Sequence, residues 1–502
     1  MSMPFQEQEF TFTQPDGTPL KVRGTGNQHH AVFETLDGYT VVEDPATGFY
    51  TYAQLDAEGD MLRPLGVRPG QVAPGRLGLQ AHQRVRPEAA RSQAGLLGLP
   101  LTRSRWQERR RARRLANLTR RARVAGVQLA PPQRETVGDY VGLCLLVEFP
   151  DVPGTITRSE VDAFCNQAGY TGFGNHGSVR DYFFDVSGGK LRYTNVVAPY
   201  YKAAHPRAYY TDESVRQPIR ALELIKEALA SLKAQGFDFS ALTADDQGFV
   251  YAANVFYAGP RVNNWAKGLW PHSSSLAAPF AVAAHAKVND YQITDMGSEL
   301  TLATFCHENG HMICDFPDLY DYGYESSGVG AYCLMCTGGN PNPRNPAEVG
   351  AYLKMQAGWA NTVTRLSGPA TVTARANDFY LLEKNEVEYY VIERRHRSGR
   401  DASLPDAGLA VWHVDELGDN SREQMTAEKH YECSLVQADG RFDLERRRGH
   451  GGDATDLFKA GGVAVLNGSG TPNTAWWDGT PSGLELSAVG APGDAMTFTV
   501  KA

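Results

Sequence analysis

The pattern His307-Glu308-Asn309-Gly310-His311 constrains this chain more than any other stretch of it. Histidines four apart lie on one face of a helix, so both imidazoles can meet a single metal ion if this segment is helical. The surrounding sequence agrees. Leu300, Leu302 and Phe305 put apolar residues ahead of the motif, as a buried helix requires. Helix formers continue to Cys314-Asp315, and the helix has to stop before Pro317. The spacing predicts a buried helix that presents His307 and His311 side by side, with Glu308 next to the first.

Two imidazoles and one oxygen suit zinc, which in catalytic sites keeps a fourth position open for water. Glu308 stands where a general base would reach that water. The oxygen ligand has three candidates. Asp318 leads, because the chain turns after the helix and brings its carboxylate back towards the metal. Glu348, in Asn345-Pro346-Ala347-Glu348-Val349, comes second. Asp315 is third, since an aspartate there suits a helix cap or a left-handed turn. The bland reading is an ordinary helix with two unrelated histidines.

A chain of 502 residues, 42% of them hydrophobic, is long enough for two or three domains with real cores. A net charge of −8 argues against a dedicated nucleic-acid binder. No apolar run reaches the length of a membrane span. Residues 1–10 lack both the basic start and the apolar core of a classical signal peptide. The 7 cysteines cannot all pair with one another. Cys333 and Cys336 form a CxxC, but no second CxxC accompanies it. Buried thiols or a local disulfide are favoured over a redox pair or a separate structural metal.

Residues 1–70 read as a β-rich unit: alternation over 9–13, a turn at Gln14-Pro15-Asp16-Gly17, and strands over 20–23, 37–42 and 48–52. Residues 71–134 read as a basic, helical linker. Its arginine tract runs over 103–114 and again over 120–123, with Trp106 as the one aromatic. A solvated helix open to trypsin-like cleavage is favoured there over contact with nucleic acid or an anionic surface. Residues 135–369 have the texture of an α/β body, with a strand at 140–149, an amphipathic helix at 219–232 and a strand at 249–257. Residues 370–502 carry apolar runs at 379–382, 389–393, 409–414, 463–466 and 496–500, which predicts a β-sandwich-like region. The expected class is α+β.

The stretches HENGHMICDFPDLYDYG and GVGAYCLMCTGGNPNPRNPAEVGAYLKMQAGW resemble the M6 metallopeptidases, the immune inhibitor A-like zinc endopeptidases of bacteria. VEFPDVPGTITRSEVDAFCN, GSVRDYFFDVSGGKL and HPRAYY before the helix, and AGLAVWHVDE and AWWDGTPSGLEL after it, extend the likeness over nearly the whole chain. The resemblance implies a metzincin-like catalytic domain with His307, His311 and Asp318 as zinc ligands and Glu308 as the base. It also implies a methionine turn with Met335 beneath the metal, where a thioether gives the ligands a polarizable floor. The chain departs from the simplest HExxHxxGxxD pattern: Cys314 replaces the glycine and Asp318 falls one residue late. The N-terminal unit then corresponds to a propeptide, and the protein to an exported enzyme acting on proteins or peptides.

The function expected from these readings is zinc-dependent endopeptidase activity, with Glu308 taking a proton from water and returning it to the leaving amine. His272, His413, Tyr332 and Tyr352 are candidates for the oxyanion donor. A propeptide ending near Glu135 cannot silence zinc with a thiol, because the first cysteine is Cys144. A carboxylate, His29 or His30, or simple filling of the cleft would serve, with cleavage in the arginine tract as the activating step. A permanently attached N-terminal domain is the equal alternative. Calcium is a weaker expectation: the acidic turns at 243–248 and 452–456 match no EF-hand and read better as surface turns. The alternative from another class is a catalytically silent, zinc-containing binding protein with β-rich ligand-binding ends. Glu308 argues against it, since a structural site needs no base. A redox protein using Cys333 and Cys336 is the third reading.

Overall fold

The computed structural model describes residues 3–97, 103–121, 135–323, 325–420, 424–446 and 451–501. The second part of the arginine tract, from residue 122 on, lies outside them. The chain divides into two compact units. The first contains residues 1–103, 142–161 and 196–300; the second contains 104–141, 162–195 and 301–502. The sequence reading drew four consecutive segments, whereas these units gather stretches that are far apart in the chain. The architecture is mixed α/β with several separate sheets.

In the first unit, β1 (Phe5–Thr13), β2 (Pro19–Gly26), β3 (Ala31–Glu34), β4 (Thr40–Glu43), β5 (Tyr50–Leu55) and β6 (Leu62–Pro64) form an antiparallel sheet in sequential order. The β1–β2 turn works through Gly17, at φ +80°, and through Asp16, whose Oδ1 accepts the Thr18 N–H and hydroxyl. Alternation in β1 sends Phe10 and Phe12 inward to meet Phe33, Tyr50 and Tyr52. Trp270, far along the chain, completes this core. The Asn264 side chain bonds both the N–H and the C=O of Thr13, at 3.0 Å each. The N-terminal sheet is therefore built into the first unit by residues 264–270.

A second sheet has the order β10-β11-β9-β7-β8, from β7 (Gly138–Glu148), β8 (Leu191–Lys202), β9 (Ala253–Tyr257), β10 (His272–Ala283) and β11 (Ala286–Asp295). β9 runs parallel to both neighbours and is buried at every position, the pattern of a central parallel strand. The strand expected over 249–257 shrinks to these five residues. The helix Ile219–Ala234 buries Leu222, Ile225 and Leu229 and packs against β10.

In the second unit, β12 (Thr362–Arg365), β14 (Asp378–Glu383), β15 (Glu388–Arg395), β16 (Gly408–Asp415) and β17 (Cys433–Leu435) form one sheet. The strands β13 (Ala370–Ala374), β19 (Met496–Lys501) and β18 (Glu485–Ser487) form another. Tyr390, Ile392 and Val411 of the larger sheet share a core with Leu486, Phe498 and Val500 of the smaller, a sandwich-like arrangement. The strand expected over 463–466 does not form. Only Leu466 makes a bridge there, to Leu486, because the flanking glycines and the exposed Val463 and Val465 leave the rest as turn.

All seven cysteines are buried free thiols. Burial pushes Cys333 up to about 11 and raises Cys336 as well, so this CxxC is held protonated and is not poised for redox exchange. Among the described residues, no helix is long and apolar enough to cross a membrane.

Candidate metal centre

The motif occupies the helix Leu302–Cys314, buried at every position from Phe305 onward. Phe305 meets Phe164 edge-to-face at 5.7 Å, and the Tyr193 hydroxyl donates to Asn309 Oδ1 at 2.6 Å. The helix Val179–Val186, opened by a capping box of Ser178 and Asp181, also packs against it. The motif helix ends at Asp315, which adopts the left-handed conformation at φ +57° and returns its N–H to the His311 carbonyl. Asp315 thus takes the capping role rather than a ligand position.

Beyond that turn the chain brings Asp318 back to the histidines. His307 Nε2 lies 3.0 Å and His311 Nε2 3.1 Å from Asp318 Oδ1, and the two Nε2 atoms are 3.2 Å apart. Each imidazole turns its other nitrogen to a backbone carbonyl: His307 Nδ1 to Leu334 O at 2.9 Å, His311 Nδ1 to Phe316 O at 2.6 Å. A carbonyl only accepts, so both Nδ1 atoms carry protons and both rings turn Nε2 inward, where each ring in its neutral form offers a lone pair. Two lone pairs and a carboxylate oxygen converge on one point, an arrangement that calls for a cation. Bonds of about 2.0–2.2 Å from a tetrahedral ion place its ligand atoms roughly 3.3–3.5 Å apart, close to the triangle found here. The three residues fit a metal ion.

The histidines and Asp318 are also strongly coupled by charge. Burial works against charge on His307, but the hydrogen bond and charge of Asp318, with a contribution from Glu308, raise it above the usual imidazole range. Burial would raise the Asp318 carboxyl, yet the two imidazoles hold it well below the carboxylate range. The Tyr322 hydroxyl donates to Asp318 Oδ2 at 2.9 Å, and the Asn420 amide to Asp318 O at 2.7 Å. Oδ2 is thereby engaged, and Oδ1 is the oxygen turned towards the two imidazoles.

Glu308 is 2% exposed on the same helix. Met335 lies against the motif: a Cβ on Gly310 would sit 2.9 Å from its sulfur. The Met335 carbonyl accepts the Leu319 N–H at 2.7 Å, next to Asp318. This turn is fixed from β15, where buried Arg395 grips Asp401 with two bonds of 2.7 and 2.8 Å and donates to Tyr332 O at 2.8 Å.

The other sequence candidates are engaged elsewhere. Glu348 pairs with Lys354. Tyr332 donates to Asp456 and to Asp453 O, Tyr352 donates to Glu432, and His413 stacks on Tyr390 and Trp477. His272 faces Trp270 O and Tyr291 in the first unit, and the backbone N–H groups of His29 and His30 close a turn on Asn27. The 452–456 turn does gather carboxylates: Asp439, Asp453 and Asp456 lie close enough together to share an ion. The 243–248 turn is closed on its own Asp245.

Sequence reasoning missed what lies over the site. The helix Arg105–Arg121 runs against the motif helix, and the Trp106 ring stacks on His311 with centroids 4.5 Å apart and planes 19° apart. Arg109 donates twice to Asp315 Oδ1, at 2.6 and 2.8 Å. The arginine tract is helical as expected, but Arg109, Arg110, Arg113 and Arg114 are not left to solvent; they make contacts within the second unit, while Arg103 and Arg111 are exposed.

No protein-family model matches the chain, and no curated protein matches it.

Proposed function

We propose that this chain is a zinc-dependent endopeptidase of metzincin-like build, akin to the M6 metallopeptidases. The observation that carries the reading is the convergence of His307 Nε2, His311 Nε2 and Asp318 Oδ1 on one point, with Glu308 adjacent on the same helix. A structural zinc site has no use for that buried carboxylate. Zinc held by these three atoms would polarise both a water and the scissile carbonyl. Glu308 then takes the water's proton and returns it to the leaving amine. Tyr322 engages Asp318 Oδ2 and so would leave Oδ1 to hold the ion, Leu334 O and Phe316 O fix the Nδ1–H side of both imidazoles, and Met335 fills the space against Gly310.

The test is metal content and casein hydrolysis on the purified full chain, before and after limited trypsin treatment, with Glu308→Gln in parallel. About one equivalent of zinc, with hydrolysis that vanishes in the variant, is the expected result. Zinc with no hydrolysis in either state would favour a silent binding protein instead. Absence of bound metal would overturn both readings.

A further inference from the structure

The helix Arg105–Arg121 is inside out. Ordinary surface helices bury apolar residues and expose charge. Here Trp106, Arg109, Arg110, Arg113, Arg114 and Asn117 recur at intervals of three or four, and their bonds all run to the second unit. Leu115 and Leu118 face out, 64% and 51% exposed. Beyond Trp106, which is only 4% exposed, polar and ionic contacts hold this helix down.

The surface beneath it is acidic and buried. Asp315 takes Arg109, and Glu432 takes Arg110 and, at 3.6 Å, Arg114. Glu416 takes the Asn117 amide at 2.7 Å, and the carbonyls of residues 416–418 take Arg114 at 2.8–3.2 Å. Burial, with the charge of Glu432 adding to it, raises the Glu416 carboxyl above its ordinary value. With the helix away, these acids would be uncovered beside the motif helix and without the arginines that pair them here. A partner carrying arginines would restore the lost pairs.

We propose that this surface is a docking site for arginine-rich segments of polypeptide substrates, and that the chain's own Arg105–Arg121 helix occupies it in the resting protein. Trp106 over His311 closes the approach to the metal site, and the ion pairs at Asp315 and Glu432 set the register of whatever replaces the helix. Covalent attachment gives the resident helix a high effective concentration, so the intact chain excludes competitors. The substrate role rests on the endopeptidase reading; the docking itself does not.

A fluorescent peptide with the sequence of residues 103–121 is the probe, and binding is followed by anisotropy on full-length protein. Wild type should bind it weakly or not at all. The Arg109→Glu/Arg110→Glu variant, with its own helix loosened, should bind at least tenfold more tightly. That binding should weaken with salt, and it should fall at least tenfold when Asp315→Asn and Glu432→Gln are added. A peptide with glutamine at 109, 110 and 114 should not bind. A folded loosened variant that binds no better than wild type would overturn the proposal, as would binding indifferent to Asp315 and Glu432. If the double variant does not fold, by circular dichroism and a thermal melt, Trp106→Ala with Arg114→Ala takes its place under the same criteria. Peptide binding without proteolysis would leave the docking surface standing and count against the endopeptidase reading alone.

Discussion

The sulfur of Met335 occupies the space where any side chain at Gly310 would begin, since a Cβ there would come within 2.9 Å of it. Glycine in a helix interior costs about 1 kcal/mol relative to alanine, and the close approach of Met335 accounts for its use here. Gly310→Ala should therefore destabilise by about 1–3 kcal/mol through overpacking, despite the better helix former. Met335→Ala costs stability of its own as a large-to-small change in the core, but the double variant should lose less than the sum of the two single losses. Urea unfolding of the two single variants and the double variant measures the coupling, and simple additivity would refute the contact.

Glu308→Gln should keep the metal and lose about 10²–10⁴-fold in hydrolysis, the usual range for a general base. Tyr322→Phe should act differently. It frees Asp318 Oδ2 and should weaken metal affinity by about 10–100-fold, as for other residues that orient a ligand. Competition with a zinc chelator separates the two, because only Tyr322→Phe should release metal more readily.

Arg395 holds Asp401 and the Tyr332 carbonyl from a buried position on β15. Arg395→Ala would leave Asp401 as an uncompensated buried charge, at a cost of about 3–5 kcal/mol. It would also release the turn that carries Met335. A lower melting temperature together with weaker zinc retention is the expected pair of results; loss of stability with metal affinity intact would show that the turn does not depend on this arginine.

Burial, then the neighbouring charges of Asp453 and Asp439, push the Asp456 carboxyl up to about 6 from 3.8. An acid whose folded value lies above its unfolded value stabilises the fold while protonated in both states. That contribution is complete below about pH 4 and is lost as the pH rises through 6. Asp456→Asn should therefore raise stability at pH 7–8 by about 1–3 kcal/mol and have little effect near pH 4. Melting temperatures across that range provide the check. Calcium that stabilises the parent at pH 8 but not the variant would mark the three aspartates as a cation site.

The candidate site was unevenly legible in the sequence. Helical spacing, the stop before Pro317 and the cap at Asp315 follow from local chemistry, and they place His307, Glu308 and His311 on one buried helix. Asp318 was readable as a residue just past a turn. Strands such as β14, β15 and β16 announced themselves by apolar runs. The hairpin of β10 and β11 did not, because its Ser-, Ala- and Lys-containing sequence lacks a clear period of two. The roles of Tyr322, Arg395 and the arginine helix were out of reach for another reason. Arg109 and Asp315 are 206 residues apart, and no local pattern encodes such a pairing. The arginine tract looks solvated because charge normally is, and only the acidic partners in the fold reverse that expectation.

Synthesis runs from the N-terminal side, so the helix ending at Arg121 emerges well before the motif helix that begins at Leu302. The covering segment is already made when His307, His311 and Asp318 appear. If the contacts seen here form as the chain folds, Trp106 can settle on His311 as soon as the motif helix forms, before Glu416 and Glu432 are there to tie the rest of the covering helix down.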